Sequence, residues 1–140
     1  MRIQLAEGDD GLARMSARLD TFAESRQLPA DVRRDLHLVI DEIVNNIVRH
    51  AQPRHPTLTV DLGIEDGALV IRVRDDGEAF DPTSRADPDT TLGLDERPVG
   101  GLGLFLVRQL MTDVRYRRFR GRNDLTLKRN LSAGPAAGAL

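Results

Sequence analysis

The chain has 140 residues, a length that makes one domain and lets it bury about two-thirds of the surface its unfolded form exposes. Its 20 Lys and Arg against 22 Asp and Glu leave a net charge of −2, so nothing in the composition marks a nucleic-acid binder. The absence of cysteine excludes a disulfide framework and thiol chemistry. With no signal peptide and no long apolar run, the expected location is cytoplasmic, with no membrane span.

Arg2 to Ala6 predicts a short strand. A helix begins at Asp9 and reaches about Gln27, with Leu12, Met15, Leu19 and Phe22 on one face. Its polar face, including Arg14 and Arg18, reads equally as a docking surface or a solvated one. Pro29 and Asp31 open a second helix, which Pro53 and Pro56 terminate. Its apolar stripe is Leu36, Val39, Ile40, Ile43, Val44 and Ile47. Beside the stripe, Glu42, Asn46 and His50 recur every fourth residue and so rise in one polar line. A carboxylate can position or deprotonate a hydroxyl, and a carboxamide oxygen suits Mg²⁺. The same line taken alone also reads as a solvated face. His37 reads as a plain surface or boundary histidine, and His55 has no second ligand at metal spacing.

Strands are predicted from Leu58 to Ile64 and from Ala68 to Arg74, joined by an Asp66-Gly67 hairpin turn. The second runs into Asp75-Asp-Gly77, which sets a carboxylate at a strand end before a backbone that a ligand can approach closely. By itself that tripeptide also reads as an ordinary turn, with Asp76 as a turn residue. From Phe80 to Gly100 the chain has little periodicity, and a loop of that length is functional or disordered. Gly100-Gly-Leu-Gly103 then opens a helix from Gly101 to about Thr112, with Leu102, Phe105, Leu106 and Leu110 apolar. Glycine-freed amides at a helix N-terminus form an anion site, the alternative being a flexible hinge. Strands near Val114 to Phe119 and Asp124 to Leu131 follow. The basic run Arg115-Tyr-Arg-Arg-Phe-Arg-Gly-Arg122 alternates like a strand, so its charges read as one solvated face rather than a DNA patch. The domain is expected over residues 1–131, and the Ala- and Gly-rich tail over 132–140 is expected to be disordered.

In this order the three motifs resemble the N, G1 and G2 boxes of the GHKL (Bergerat-fold) ATPases, and most nearly the stand-alone anti-sigma factor serine kinases of bacteria. The resemblance is carried by Glu42, Asn46 and His50; by Asp75, Gly77, Phe80 and Asp81; and by Gly100, Gly101, Gly103 and Leu104. It spans roughly Ile3 to Leu131. It implies an α/β two-layer sandwich, with a mixed, mostly antiparallel sheet and helices on one face.

The resemblance also implies roles. Asp75 would accept from the adenine amino group, and Gly77 would let the backbone pass beneath the purine. Asn46 would hold Mg²⁺ at the phosphates of ATP. Gly101 and Gly103 would present amides to phosphate oxygens, with Gly100, Leu102 and Leu104 completing that wall. Glu42 would be the general base or hydroxyl-positioning group. Arg49, His50 and Ala79 would join the nucleotide site, Arg49 reading equally as a solvated helix charge, and Thr126 on the last strand would lie near the adenine-binding Asp. Residues from Phe80 to Gly100 would be the ATP lid. Ala79 stands where the wider superfamily has a second glycine, and Asn45 where a small residue is usual.

The implied function is an ATP-binding, Mg²⁺-dependent serine/threonine kinase that phosphorylates a STAS-type anti-sigma factor antagonist, binds a sigma factor and works as a homodimer. An alternative is a non-kinase module whose nucleotide state tunes partner binding. A histidine kinase fragment is disfavoured, because no upstream helix pair carries a phospho-acceptor His.

Overall fold

The structure is a computed structural model that describes residues 1–5, 11–50, 57–79, 81 and 101–131, with backbone alone at Leu5, His50, 11–12 and 101–104. Among these, the elements in chain order are β1 (Arg2–Leu5), α1 (Gly11–Ser25), α2 (Ala30–His50), β2 (Leu58–Glu65), β3 (Ala68–Asp75), α3 (Gly101–Leu110), β4 (Asp113–Phe119) and β5 (Arg122–Asn130). The expected start of the first helix at Asp9, Pro53, His55 and Pro56, the loop from 82 to 100 and the tail lie outside the described residues.

The sheet order is β1-β2-β3-β5-β4, and the sheet, expected to be mixed and mostly antiparallel, is antiparallel at each of these pairings. Asp66 (φ 51°) and Gly67 (φ 74°) make the β2–β3 turn, both left-handed, as an Asp-Gly hairpin requires to match strand twist. Helix α1 ends with Gln27 left-handed at φ 52°. There Leu28 N donates to Ala23 O and Gln27 N to Glu24 O, which satisfies carbonyls the helix end leaves open.

The helices cover one face of the sheet, and a single core forms between the layers. Met15, Leu19 and Phe22 of α1 meet Leu36, Val39, Ile40, Ile43 and Val44 of α2, Val107 of α3, and Val60, Ile71, Val73, Leu125 and Leu127 of the sheet. Apolar burial on this scale is the main stabilising term. Polar contacts fix how the layers sit. Asp20 of α1 meets Arg33 at 2.9 Å and His37 at 2.8 Å, which makes His37 the boundary residue expected of it. Buried Asp35 of α2 meets Arg129 of β5 at 3.1 Å.

Three boundaries differ from expectation by two residues. The first helix stops at Ser25 rather than Gln27, which is left-handed. The last helix stops at Leu110, because Thr112 is drawn to β5: its N donates to Lys128 O and its hydroxyl accepts from Asn130 N. Strand β5 begins at Arg122, two residues before Asp124, because Asn123 pairs with Asp75 across the sheet.

Candidate functional site

Three anchors bring the motifs to one end of the sandwich. Arg129 holds Asp31 and Asp35, near the start of α2, to the far end of β5. From Asp35 to Asn46 the helix advances about 16 Å, comparable to the roughly 20 Å that β5 covers from Arg129 back to Asn123. The C-terminal half of α2 therefore lies toward the sheet end where β2 starts and β3 stops, with Leu58 paired to Asp75. Likewise, Thr112 fixes the chain just after α3 against Lys128. Helix α3 packs on α2, so its N-terminus at Gly101 extends toward the same end.

Asp75 is the last residue of β3 and points into the core side, where it is 5% exposed. Its Oδ1 accepts from Gly77 N at 2.9 Å, closing the turn, and from Asn123 Nδ2 at 3.1 Å. Both of its hydrogen bonds among the described residues go to Oδ1, which leaves Oδ2 for an external donor. Burial pushes the Asp75 carboxyl above the usual carboxylate range, against the opposing pull of Asn123 and Gly77. Asn123 is itself buried and saturated: Nδ2 also donates to Glu78 O at 2.7 Å, while Oδ1 accepts from Tyr116 Oη and Arg118 Nη1. Arg118 Nη1 further donates to Gly77 O at 2.7 Å. Asp76 Oδ1 accepts from Thr57 N, which ties the chain after β3 to the residue before β2.

On α2, Asn46 is 2% exposed, more deeply buried than a residue on a solvated face. Its Nδ2 donates to both the backbone oxygen and Oε1 of Glu42, each at 2.9 Å. Two acceptors on that side fix the amide orientation and turn Oδ1 the other way. Asn46 Oδ1 is buried without a hydrogen-bond partner among the described residues. Such an oxygen is costly unless something outside the protein satisfies it. A hard cation fits, since carboxamide oxygens are ordinary Mg²⁺ ligands. Neighbouring Asn45 is exposed, so burial as well as spacing selects Asn46. Glu42 is half-buried, with its carboxylate held against the Asn46 amide.

The remaining expected residues divide. Arg49 is exposed on α2, and Ala79 is exposed just past the Asp75 turn. His50 closes α2 and Gly101, Leu102, Gly103 and Leu104 open α3, but their side chains lie outside the described residues, as does Gly100 altogether. Thr126 requires correction. It pairs with Arg72, and strand alternation turns both to the face away from Asp75. The β5 residue that reaches Asp75 is Asn123. Its signal in the sequence was its position two residues after the Gly121 turn, opposite the end of β3.

The family described as histidine kinase-like ATPase domain matches residues 6–129. The chain is 39% identical over 111 residues to the serine/threonine-protein kinase BtrW of Bordetella bronchiseptica, covering 78% of both. It is 34% identical over 87 residues to the serine-protein kinase RsbW of Listeria monocytogenes, covering 58% of this chain and 55% of that one. Among solved structures, the blue-light activated histidine kinase of Erythrobacter litoralis EL346 aligns with a TM-score of 0.58 at 18% identity, over 78% of this chain and 33% of that one. That last likeness concerns the fold alone.

Proposed function

Because the chain belongs to the histidine kinase-like ATPase domain family, we propose that it binds ATP with Mg²⁺ and phosphorylates a serine or threonine of an anti-sigma factor antagonist. The observation that carries this reading is the Glu42–Asn46 pair, in which a carboxylate is fixed by an amide whose own oxygen is buried and unpaired.

The residues take the following parts. Asp75 Oδ2 accepts from the adenine amino group, while Asn123 and Gly77 hold the carboxylate through Oδ1. The N-terminus of α3 offers amides and a favourable dipole to phosphate oxygens. Asn46 Oδ1 would hold Mg²⁺, which when bound neutralises phosphate charge. Glu42 accepts the proton of the acceptor hydroxyl as its oxygen bonds to the γ-phosphorus, and the bond to the β,γ-bridging oxygen breaks to release ADP. Glu42 cannot swing freely, since Asn46 fixes its Oε1, and such positioning is much of what phosphoryl transfer needs from a protein.

The same reading gives the partners. A sigma factor and a STAS-type antagonist compete for a cytoplasmic homodimer, and phosphorylation of the antagonist decides which is bound. The relatives BtrW and RsbW are named as serine or serine/threonine kinases, which supports the acceptor type.

The test is incubation of the purified chain with γ-labelled ATP, Mg²⁺ and each antagonist protein from the same genome. Label on a serine or threonine of one antagonist is expected. ATP binding with no transfer to any antagonist would replace the kinase with a nucleotide-tuned binding module.

A further inference from the structure

The sheet face turned away from the helices is rich in arginine, although the chain as a whole carries −2. Register sets Arg72, Thr126 and Arg115 side by side across β3, β5 and β4, with Arg74, Asp124 and Arg117 in the neighbouring row on that face. The second row is partly compensated: Asp124 Oδ2 lies 3.7 Å from Arg74 and 3.6 Å from Arg117. The first row holds a hydroxyl where the second holds a carboxylate. Arg115 meets Asp113 at 2.8 Å, a pair that solvent screens because the Arg115 side chain is 80% exposed. Arg72 and Lys128 are exposed and form no ion pair among the described residues. Together these side chains line an open hollow of about 540 Å³.

We propose that the Arg72–Thr126–Arg115 row, with Lys128, docks an acidic helix of a partner protein laid across β3, β5 and β4. Two strand spacings separate Arg72 from Arg115, about 9–10 Å between backbones. Carboxylates seven residues apart on a helix share a face and are separated by about 10.5 Å along it. One such carboxylate meets Arg72 and the other Arg115, while Lys128 takes a carboxylate from the turn between them. The Thr126 hydroxyl adds a donor at the centre.

Other occupants fit less well. A nucleic acid would bring continuous phosphates over Asp113 and Asp124 as well as over the cations. A second copy would meet this patch with the same patch, because a two-fold contact is isologous, and would set uncompensated cations against each other. The proposal does not rest on the nucleotide reading, since this row lies on the sheet face opposite Asp75.

The experiment uses the full chain and a fluorescent helical peptide carrying Glu at positions i, i+3 and i+7, with a Gln-substituted peptide as control. Anisotropy should show binding of the Glu peptide only, weakening as salt rises. The double variant Arg72→Glu/Lys128→Glu should lose at least about tenfold in affinity, while Arg26→Glu in the turn after α1 should lose nothing. Melting of the double variant checks its fold, and Arg115→Glu gives an independent reading if the double variant melts early. ATP affinity should be unchanged in all of them. The proposal is overturned by equal peptide affinity in the variants or by no binding of the Glu peptide. It is also overturned if single-stranded DNA of equal charge binds more tightly, or if light scattering shows self-association that the double variant abolishes.

Discussion

Asn123 Nδ2 donates to Asp75 Oδ1 across 3.1 Å, from the residue directly opposite on the neighbouring strand. The bond keeps an ionised carboxylate tolerable in a buried place while spending only one of its two oxygens. Asp75 is thereby a charged acceptor held ready on a rigid strand end, which is what recognition of an amino donor on a planar base requires.

Replacing Asp75 by Asn should separate stability from function. An amide would set its NH₂ where the carboxylate accepted, so ATP affinity should fall by about 1.5–3 kcal/mol, or about 10- to 150-fold. The apo fold should become more stable at neutral pH. The folded-state pKa of Asp75 is raised, so its burial cost is absent below the unfolded pKa and fully present once pH exceeds the folded value. Melting without nucleotide at pH 7 should show a higher Tm for Asp75→Asn. A lower Tm would mean that the two hydrogen bonds outweigh burial.

Asn123→Ala should act through Asp75. Loss of one donor raises the Asp75 pKa further, so the fall of ATP affinity on acidification should set in at a higher pH than in the wild type. Glu78 O and Tyr116 Oη also lose their partner, and stability should drop by about 1–3 kcal/mol. Calorimetry across a pH series, with Asp75→Asn as the pH-insensitive control, checks this. An unmoved profile would detach Asn123 from the carboxylate.

The contrast between Asn46 and Asn123 shows what the sequence makes legible. Asn46 lies four residues from Glu42 on one helix, a local relation that periodicity reveals, and its pairing with Glu42 follows. Asp75 was legible as the end of an alternating strand. Asn123 was not, because Arg122 and Asn123 are poor strand formers and the strand was expected to begin after them, at Asp124. Their extended conformation comes from pairing with β3, a tertiary effect acting across 48 residues. The register of β5 against β3 was hidden too, and it is this pairing that turns Thr126 away from Asp75.

Asn46→Ala should abolish the Mg²⁺ dependence of ATP binding. Its effect on stability should stay within about 1 kcal/mol, since deleting a buried unpaired oxygen offsets the lost bonds to Glu42. Titration of ATP with and without Mg²⁺ checks the first part and chemical denaturation the second. A persisting Mg²⁺ requirement would move the ion to other ligands.

Arg129→Met should be the most damaging of these changes to the fold. Asp35 is buried, and without Arg129 at 3.1 Å it would keep only the longer 3.5 Å contact with exposed Arg34. Leaving such a charge uncompensated typically costs about 3–5 kcal/mol. The double variant Asp35→Leu/Arg129→Met should recover most of that loss in urea denaturation. Equal instability of single and double variants would show that Arg129 acts by packing.

The most direct test of the account is phosphoryl transfer by Glu42→Gln in a single turnover, measured beside its ATP affinity. Glutamine keeps the reach to Asn46 but cannot take the proton, so ATP affinity should be retained while transfer to a serine or threonine acceptor falls by about 10²- to 10⁴-fold. Transfer at the wild-type rate, or a parallel loss of ATP binding, would contradict Glu42 as the residue that activates the acceptor hydroxyl.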